Sequence, residues 1–137
     1  MPLKLISFRM FATFAAVALS NCACVAQPLP RTPVEVWRGG DDGLTSRFGD
    51  AVNEAFRASS TFTLSYGNKP GTLIVTIPTN VSWKPIGTRT QVTYAVTFAT
   101  PDQRSLGSST GTCFDDALSD CAAHILRDAQ VAVKASR

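Results

Sequence analysis

Histidine is almost missing from this 137-residue chain: His124 stands alone, and the cysteines number only four. Two of those, Cys22 and Cys24, crowd the amino-terminal region, so Cys113 and Cys121 are the pair left for the body of the chain. A structural zinc site takes four ligands, and only His124 could join the two cysteines, which argues against zinc. None of the many serines stands in a Gly-x-Ser-x-Gly setting, so no hydrolase nucleophile turn is encoded. Charge is also scarce, at 17% of residues, and the basic side chains are scattered singly with no interleaved aromatics. A nucleic-acid backbone is tracked by clustered Lys and Arg, so nucleic acid is not an expected partner. No EF-hand spacing and no internal repeat occur.

What is present begins at the amino terminus. Lys4 and Arg9 precede an apolar run, Met10 to Leu19, that leads to Cys22-Ala23-Cys24-Val25-Ala26. This is the layout of a bacterial export signal, and the run is shorter than the roughly 20 residues of a stable membrane span. Two ends of the signal compete. Cleavage after Ala26 satisfies the small-x-small rule and releases a soluble chain from Gln27. Cleavage before Cys22 uses Leu19-Ser20-Asn21-Cys22 as a lipobox, with Cys22 the lipidated residue and Asn21 the departure from the usual pattern. Residues 1–26 are therefore expected to be an export signal and residues 27–33, with three prolines, a linker suited to an extended tether. The expected location is the periplasm, with lipid anchoring to the outer membrane as the alternative. Loss of Lys4 and Arg9 lowers the basic count from 13 to 11 against ten acidic residues, so the remaining domain is near neutral, at +1.

An oxidising compartment makes Cys113–Cys121 an expected disulfide. Eight residues along one helix would separate them by about 12 Å, beyond the roughly 7 Å limit between bridged Cα atoms. Cys113 must then lie before the helix that carries Cys121, with Asp115 or Asp116 as its cap.

Residues 34–137 read as one domain. A short strand, Val34 to Trp37, is followed by Gly39-Gly40-Asp41-Asp42-Gly43 and a helix capped by Asp41 or Asp42. Its apolar face is Leu44, Phe48, Val52, Ala55 and Phe56, and it ends near Ala58. The period then becomes two. Thr61–Tyr66 and Thr72–Ile77, joined by a turn at Asn68-Lys69-Pro70-Gly71, read as a hairpin. Pro78 interrupts the second strand, which resumes through Val81 and Trp83. After a turn at Lys84–Gly87, Arg89–Thr100 alternates with Val92, Tyr94, Val96 and Phe98 on one face and Gln91, Thr93, Ala95, Thr97 and Ala99 on the other. A weaker strand runs from Ser105 to about Thr112, and a helix from about Asp116 to Ala132 closes the chain. The expected fold is α+β, a two-layer sandwich in the order strand, helix, four-strand antiparallel meander, helix, with both helices on one face of the sheet.

The exported start, the short strand, the helix Leu44-x3-Phe48-x3-Val52-x2-Ala55-Phe56 and the stretch Ser59-Ser60-Thr61-Phe62-Thr63-Leu64 resemble the opening of small envelope domains. These are the TolB amino-terminal domain, the curli-assembly lipoprotein CsgG and the LpoB-type lipoproteins. The hairpin Tyr94–Thr110 and the terminal helix are similar to the second half of that layout. The resemblance covers about Val34 to Ala132 and implies a non-catalytic domain for protein contacts, with assembly or accessory roles. It carries over no functional residue.

Trp37, Tyr66, Trp83 and the polar strand face at Thr93 and Thr97 are the interface candidates, since aromatic residues are favoured at protein contacts. Against this, at least one tryptophan is expected to fill the core. An exposed terminal strand offers a further mode, pairing with a partner strand. The Gly39–Gly43 turn could take an anion on backbone amides, although its two aspartates repel one, or calcium on those carboxylates. No cofactor and no catalytic residue are expected. The leading expectation is a non-enzymatic binding or assembly module of the cell envelope acting on a protein partner or as a homo-oligomer. A secreted or periplasmic protein inhibitor is the alternative, and a hydrolase built on His124, with Asp120 or Asp128 beside it, ranks last.

Overall fold

The computed structural model describes Cys24 and residues 27–137. Cys22 and the cleavage point after Ala26 lie outside the described residues. The elements are β1 (Thr32–Arg38), α1 (Gly43–Ala58), β2 (Phe62–Leu64), β3 (Leu73–Ile77), β4 (Ser82–Ile86), β5 (Arg89–Ala99), β6 (Ser105–Phe114) and α2 (Leu118–Ala135). One sheet holds all six strands, and the fold is the expected two-layer α+β sandwich.

The sheet is mixed. β1 lies between β2 and β3 and runs parallel to both. β5 is antiparallel to β3, β4 and β6. β6 takes one edge of β5 from Gln91 to Ala99, while β3 and β4 share the other edge end to end. The strand that Pro78 was expected to interrupt is thus β3 and β4, one line with a break between them.

The expected hairpin of Thr61–Tyr66 with Thr72–Ile77 does not form. β2 and β3 instead flank β1, with Leu64 and Leu73 both level with Val34. The eight residues between them cross the sheet on the Glu35 side, where Asn68 N–H approaches Glu35 Oε2 at 3.5 Å. The apolar residues explain the outcome. Phe62 of β2 meets Phe56 of α1 edge to face, with 5.0 Å between ring centroids, so β2 is held by the helix that precedes it. β1 offers Val34 and Val36 to the core and can satisfy a strand on each side.

α1 begins where expected. Asp42 caps it by accepting from Thr45 N–H at 2.6 Å, and Phe48, Val52 and Phe56 lie fully buried along one face. Thr45 is also buried, and its Oγ1 accepts from Val81 N–H at 3.0 Å, tying the helix start to the break between β3 and β4. At its other end the chain turns into β2 through Ser59.

α2 departs from expectation at its start. Neither Asp115 nor Asp116 caps it; Ala117 holds the cap position without a side-chain bond. Asp116 is drawn instead to Arg89 at 2.6 Å, and the helix begins two residues later. The bridge between Cys113 at the end of β6 and Cys121 in the first turn of α2 is present, with 5.6 Å between Cα atoms. It places the cysteines on different elements, as the spacing required. β4 also extends to Ile86 through the expected turn residues, and Gly87 and Thr88 make the reversal, Gly87 at φ +60°.

The core lies between the helices and one sheet face. Val34, Leu73, Val75, Ile77, Val92, Val96 and Phe98 face Phe48, Val52, Phe56, Ile125 and Ala129, all nearly solvent-free. β6 contributes little bulk there: Gly107, Ser109, Gly111 and Cys113 lie opposite Phe98, Val96, Tyr94 and Val92. Small residues on β6 leave room for α2, which packs directly over it.

Candidate interaction surface and the polar cluster behind it

Side chains alternate along β5, so burying Val92, Tyr94, Val96 and Phe98 under the helices aims Thr93, Ala95 and Thr97 at the opposite face. Among the described residues no element covers that face at β5, and all three are exposed. The ladders then set its lateral rows. Trp37, Thr76, Thr97 and Ser108 stand side by side on β1, β3, β5 and β6. Ser82, Thr93 and Thr112 form a second row on β4, β5 and β6. Between them Ala95 stands beside Thr110. The result is a sheet face of hydroxyls and methyls, uncharged at its centre, with an indole 44% exposed at one margin.

All five sequence candidates are exposed, but they do not converge. Trp37, Thr93 and Thr97 share the open face. Tyr66 projects from the crossing segment, 74% exposed. Trp83 is the ladder partner of Val92 and so belongs to the helix side of the sheet, where it is 62% exposed. Neither tryptophan fills the core, contrary to expectation. Two helices cannot roof six strands: Trp37 lies on the face they leave bare, and Trp83 on a hairpin that extends past them.

The Gly39–Gly43 turn is not an open ligand nest. Asn80 Oδ1 accepts from Asp41 N–H at 2.9 Å and Asp42 N–H at 3.3 Å, occupying the amides that an anion would use. The fit is close enough that a Cβ on Gly40 would stand 2.3 Å from Asn80 Oδ1. Asp42 is committed to capping Thr45, and the bond from that backbone amide holds its carboxyl below the usual range. Sequence reading named the turn but missed Asn80, which lies 38 residues beyond Asp42.

A polar cluster sits behind the open face, between β5, β6 and α2. Tyr94 Oη lies 2.7 Å from His124 Nδ1 and 3.4 Å from Ser109 Oγ. Ser109 donates to Asp128 Oδ2 at 2.7 Å, and that same oxygen is 3.5 Å from His124 Nε2. Burial pushes the Tyr94 phenol up, and the nearby Asp128 charge acts in the same direction. Ser, His and Asp thus meet, yet not as a hydrolase would wire them. The serine is 2% exposed and donates its hydrogen bond to the carboxylate, while the histidine nitrogen that should serve it faces the tyrosine. The cluster pins α2 to the sheet. Asp128, one helical turn after His124, was visible in sequence as a partner; Ser109 and Tyr94 were not, because only strand register brings them there. Among the described residues no group of His, Cys, Asp and Glu could hold a metal ion.

No family model matches the chain, and no curated protein matches it. Solved structures do. Protein XCC0632 of Xanthomonas campestris, assigned to the family model DUF330, superposes with a TM-score of 0.59 at 12% identity, over 82% of this chain and 91% of that one. PelC of Paraburkholderia phytofirmans, solved as a dodecamer, matches at a TM-score of 0.49 and 13% identity, over 75% of this chain and 86% of that one. A minor lipoprotein of Acinetobacter baumannii matches at 0.46 and 11% identity, over 75% and 94% respectively. The likeness to XCC0632 is one of fold.

Proposed function

We propose that this protein is a non-enzymatic binding or assembly module of the bacterial cell envelope, working through protein contacts on its bare sheet face. The observation that carries the reading is the row Trp37, Thr76, Thr97 and Ser108, an uncharged surface flanked by an exposed indole. Aromatic anchors beside small polar residues suit a protein contact, and a hydroxyl face costs little to desolvate when its partner supplies hydrogen bonds. The export pattern before Gln27 and the Cys113–Cys121 bridge support an extracytoplasmic setting. Lipid on Cys22 would hold the domain at the outer membrane, with residues 27–33 as spacer. The inward wiring of Ser109, His124 and Asp128 favours a module without catalysis. The narrower resemblance to the TolB, CsgG and LpoB domains belongs to this reading as its best-fitting pattern. A diffusible protein inhibitor is the second reading, favoured if the chain is soluble from Gln27.

The test is a photo-crosslinking amino acid placed at Thr93 or Thr97 in growing cells, with Arg47 on the outer side of α1 as the control. A discrete adduct from the sheet positions, absent from the control, is the expected result. Equal adducts from all three, or none, would overturn the sheet face as the contact. Intact mass of the exported protein decides between a lipid-bearing chain from Cys22 and a soluble one from Gln27.

A further inference from the structure

We infer that the protein self-associates through the edge of β6, pairing antiparallel with β6 of a second copy to make one continuous sheet. This contact is made by the backbone edge of β6, with Ser108 at the border it shares with the bare face, and it does not rest on the function proposed above. Among the described residues the sheet ends in three open edges of different character. β2 has only three residues. The outer side of β4 carries Lys84 and Pro85, the charge and the missing N–H that natural edges use against strand addition. β6 has neither device: its ten residues, Ser105-Leu-Gly-Ser-Ser-Thr-Gly-Thr-Cys-Phe114, contain no charge and no proline, and it pairs only with β5 among the described residues. A long, uncharged edge is a standing template for another strand.

The strand is also complementary to itself. With a twofold axis at Thr110, antiparallel pairing sets Thr110 opposite its own copy and Ser108 opposite Thr112 on the bare-face side, where cross-strand hydroxyl pairs are favourable. On the helix side the same register sets Ser109 opposite Gly111 and Gly107 opposite Cys113, so no large side chain meets another across the seam beneath each copy's own α2. The flank of α2 above β6 carries His124 and Asp128, which reach Tyr94 and Ser109, together with Asp120, Arg127 and the 68% exposed Val131. That flank mixes both signs of charge, so a symmetry-related copy meets no block of like charge. An isologous contact of this kind closes as a dimer and consumes the edge on both copies.

The experiment is sedimentation of the protein as the cell exports it, beside Thr110→Lys, Ser108→Lys and Thr93→Lys. The expected result is a concentration-dependent dimer, with the dissociation constant raised about tenfold or more by Thr110→Lys, which sets like charges opposite each other at the axis. Thr93→Lys, one strand in from the edge on β5, should leave association unchanged. Thr110→Cys in a Cys24→Ser background should form an intersubunit disulfide, whereas Thr97→Cys should not, and this readout holds even if a lysine variant folds poorly. A monomer at every concentration would overturn the inference. So would association lost with Thr93→Lys but kept with Thr110→Lys, which would move the contact to the sheet face and leave the proposed function standing.

Discussion

Gly111 lies opposite Tyr94 in the β5–β6 ladder, and the space it leaves is the space the phenol occupies: a Cβ there would stand 2.9 Å from Tyr94 Oη. Across that gap the tyrosine leans beneath α2 to reach His124, with its ring 5.4 Å from that of Phe48. One missing methyl on an edge strand thus lets a central strand bond to a helix.

Gly111→Val is expected to destabilise the protein by about 1–3 kcal/mol, because the added bulk meets a ring packed on three sides. Urea unfolding measures it. A Tyr94→Leu background should recover part of the loss; equal losses in both backgrounds would show that the ring is not the obstacle.

Tyr94→Phe should cost about 0.5–1.5 kcal/mol, the usual net worth of a hydrogen bond, since His124 loses its partner while Ser109 keeps Asp128. The same unfolding experiment checks it. A loss confined to Ser109→Ala, with Tyr94→Phe neutral, would place the weight on the Ser109–Asp128 bond.

Thr72 is 2% exposed, and its Oγ1 has no hydrogen-bond partner among the described residues. An unmet buried hydroxyl carries a desolvation penalty that a methyl of the same shape avoids. Thr72→Val should therefore raise stability by about 1 kcal/mol, and a lower thermal midpoint would contradict this.

Reducing the Cys113–Cys121 bridge should lower stability by about 2–3 kcal/mol, the chain-entropy value for a loop this short. Denaturation with and without reductant tests it. Alkylation of both cysteines without prior reduction would refute the bridge itself.

Asp42 and Asp116 both titrate below the usual carboxylate value, Asp42 through the Thr45 backbone amide and Asp116 through Arg89. A depressed folded-state value stabilises above the unfolded one and is lost as pH falls through the folded one. The protein should accordingly weaken on acidification below the ordinary Asp range. In carboxyl NMR titrations Arg89→Gln should return Asp116 towards its ordinary value while leaving Asp42 unmoved.

Local chemistry made much of this fold legible in the residues. The Asp42 cap and the Phe48, Val52, Phe56 stripe announce α1, and the alternation from Val92 to Phe98 announces β5, because both depend on neighbours a few positions apart. The same alternation makes Thr93 and Thr97 companions on one face. The bridge from Cys113 to Cys121 is expected from the export signal and the cysteine count, and helical rise requires only that Cys113 lie off the helix that carries Cys121.

Other features depend on partners distant in sequence. A turn at Pro70-Gly71 suits a hairpin, yet the long-range burial of Val34 and Val36 inserts β1 between the two strands. Asp116 is a good cap by type, but Arg89, 27 residues away, holds it elsewhere. At least one of Trp37 and Trp83 is expected in the core and neither is there, because whether a side chain is buried depends on how far the helices extend over the sheet. By itself the sequence determined the elements, their buried faces and the need for Cys113 to lie off the helix of Cys121, since these follow from periodicity and reach along one chain. Only the tertiary structure decided strand order, the Tyr94–His124–Asp128–Ser109 cluster and which face and edge stay bare, because each is set by contacts between segments that no local rule relates.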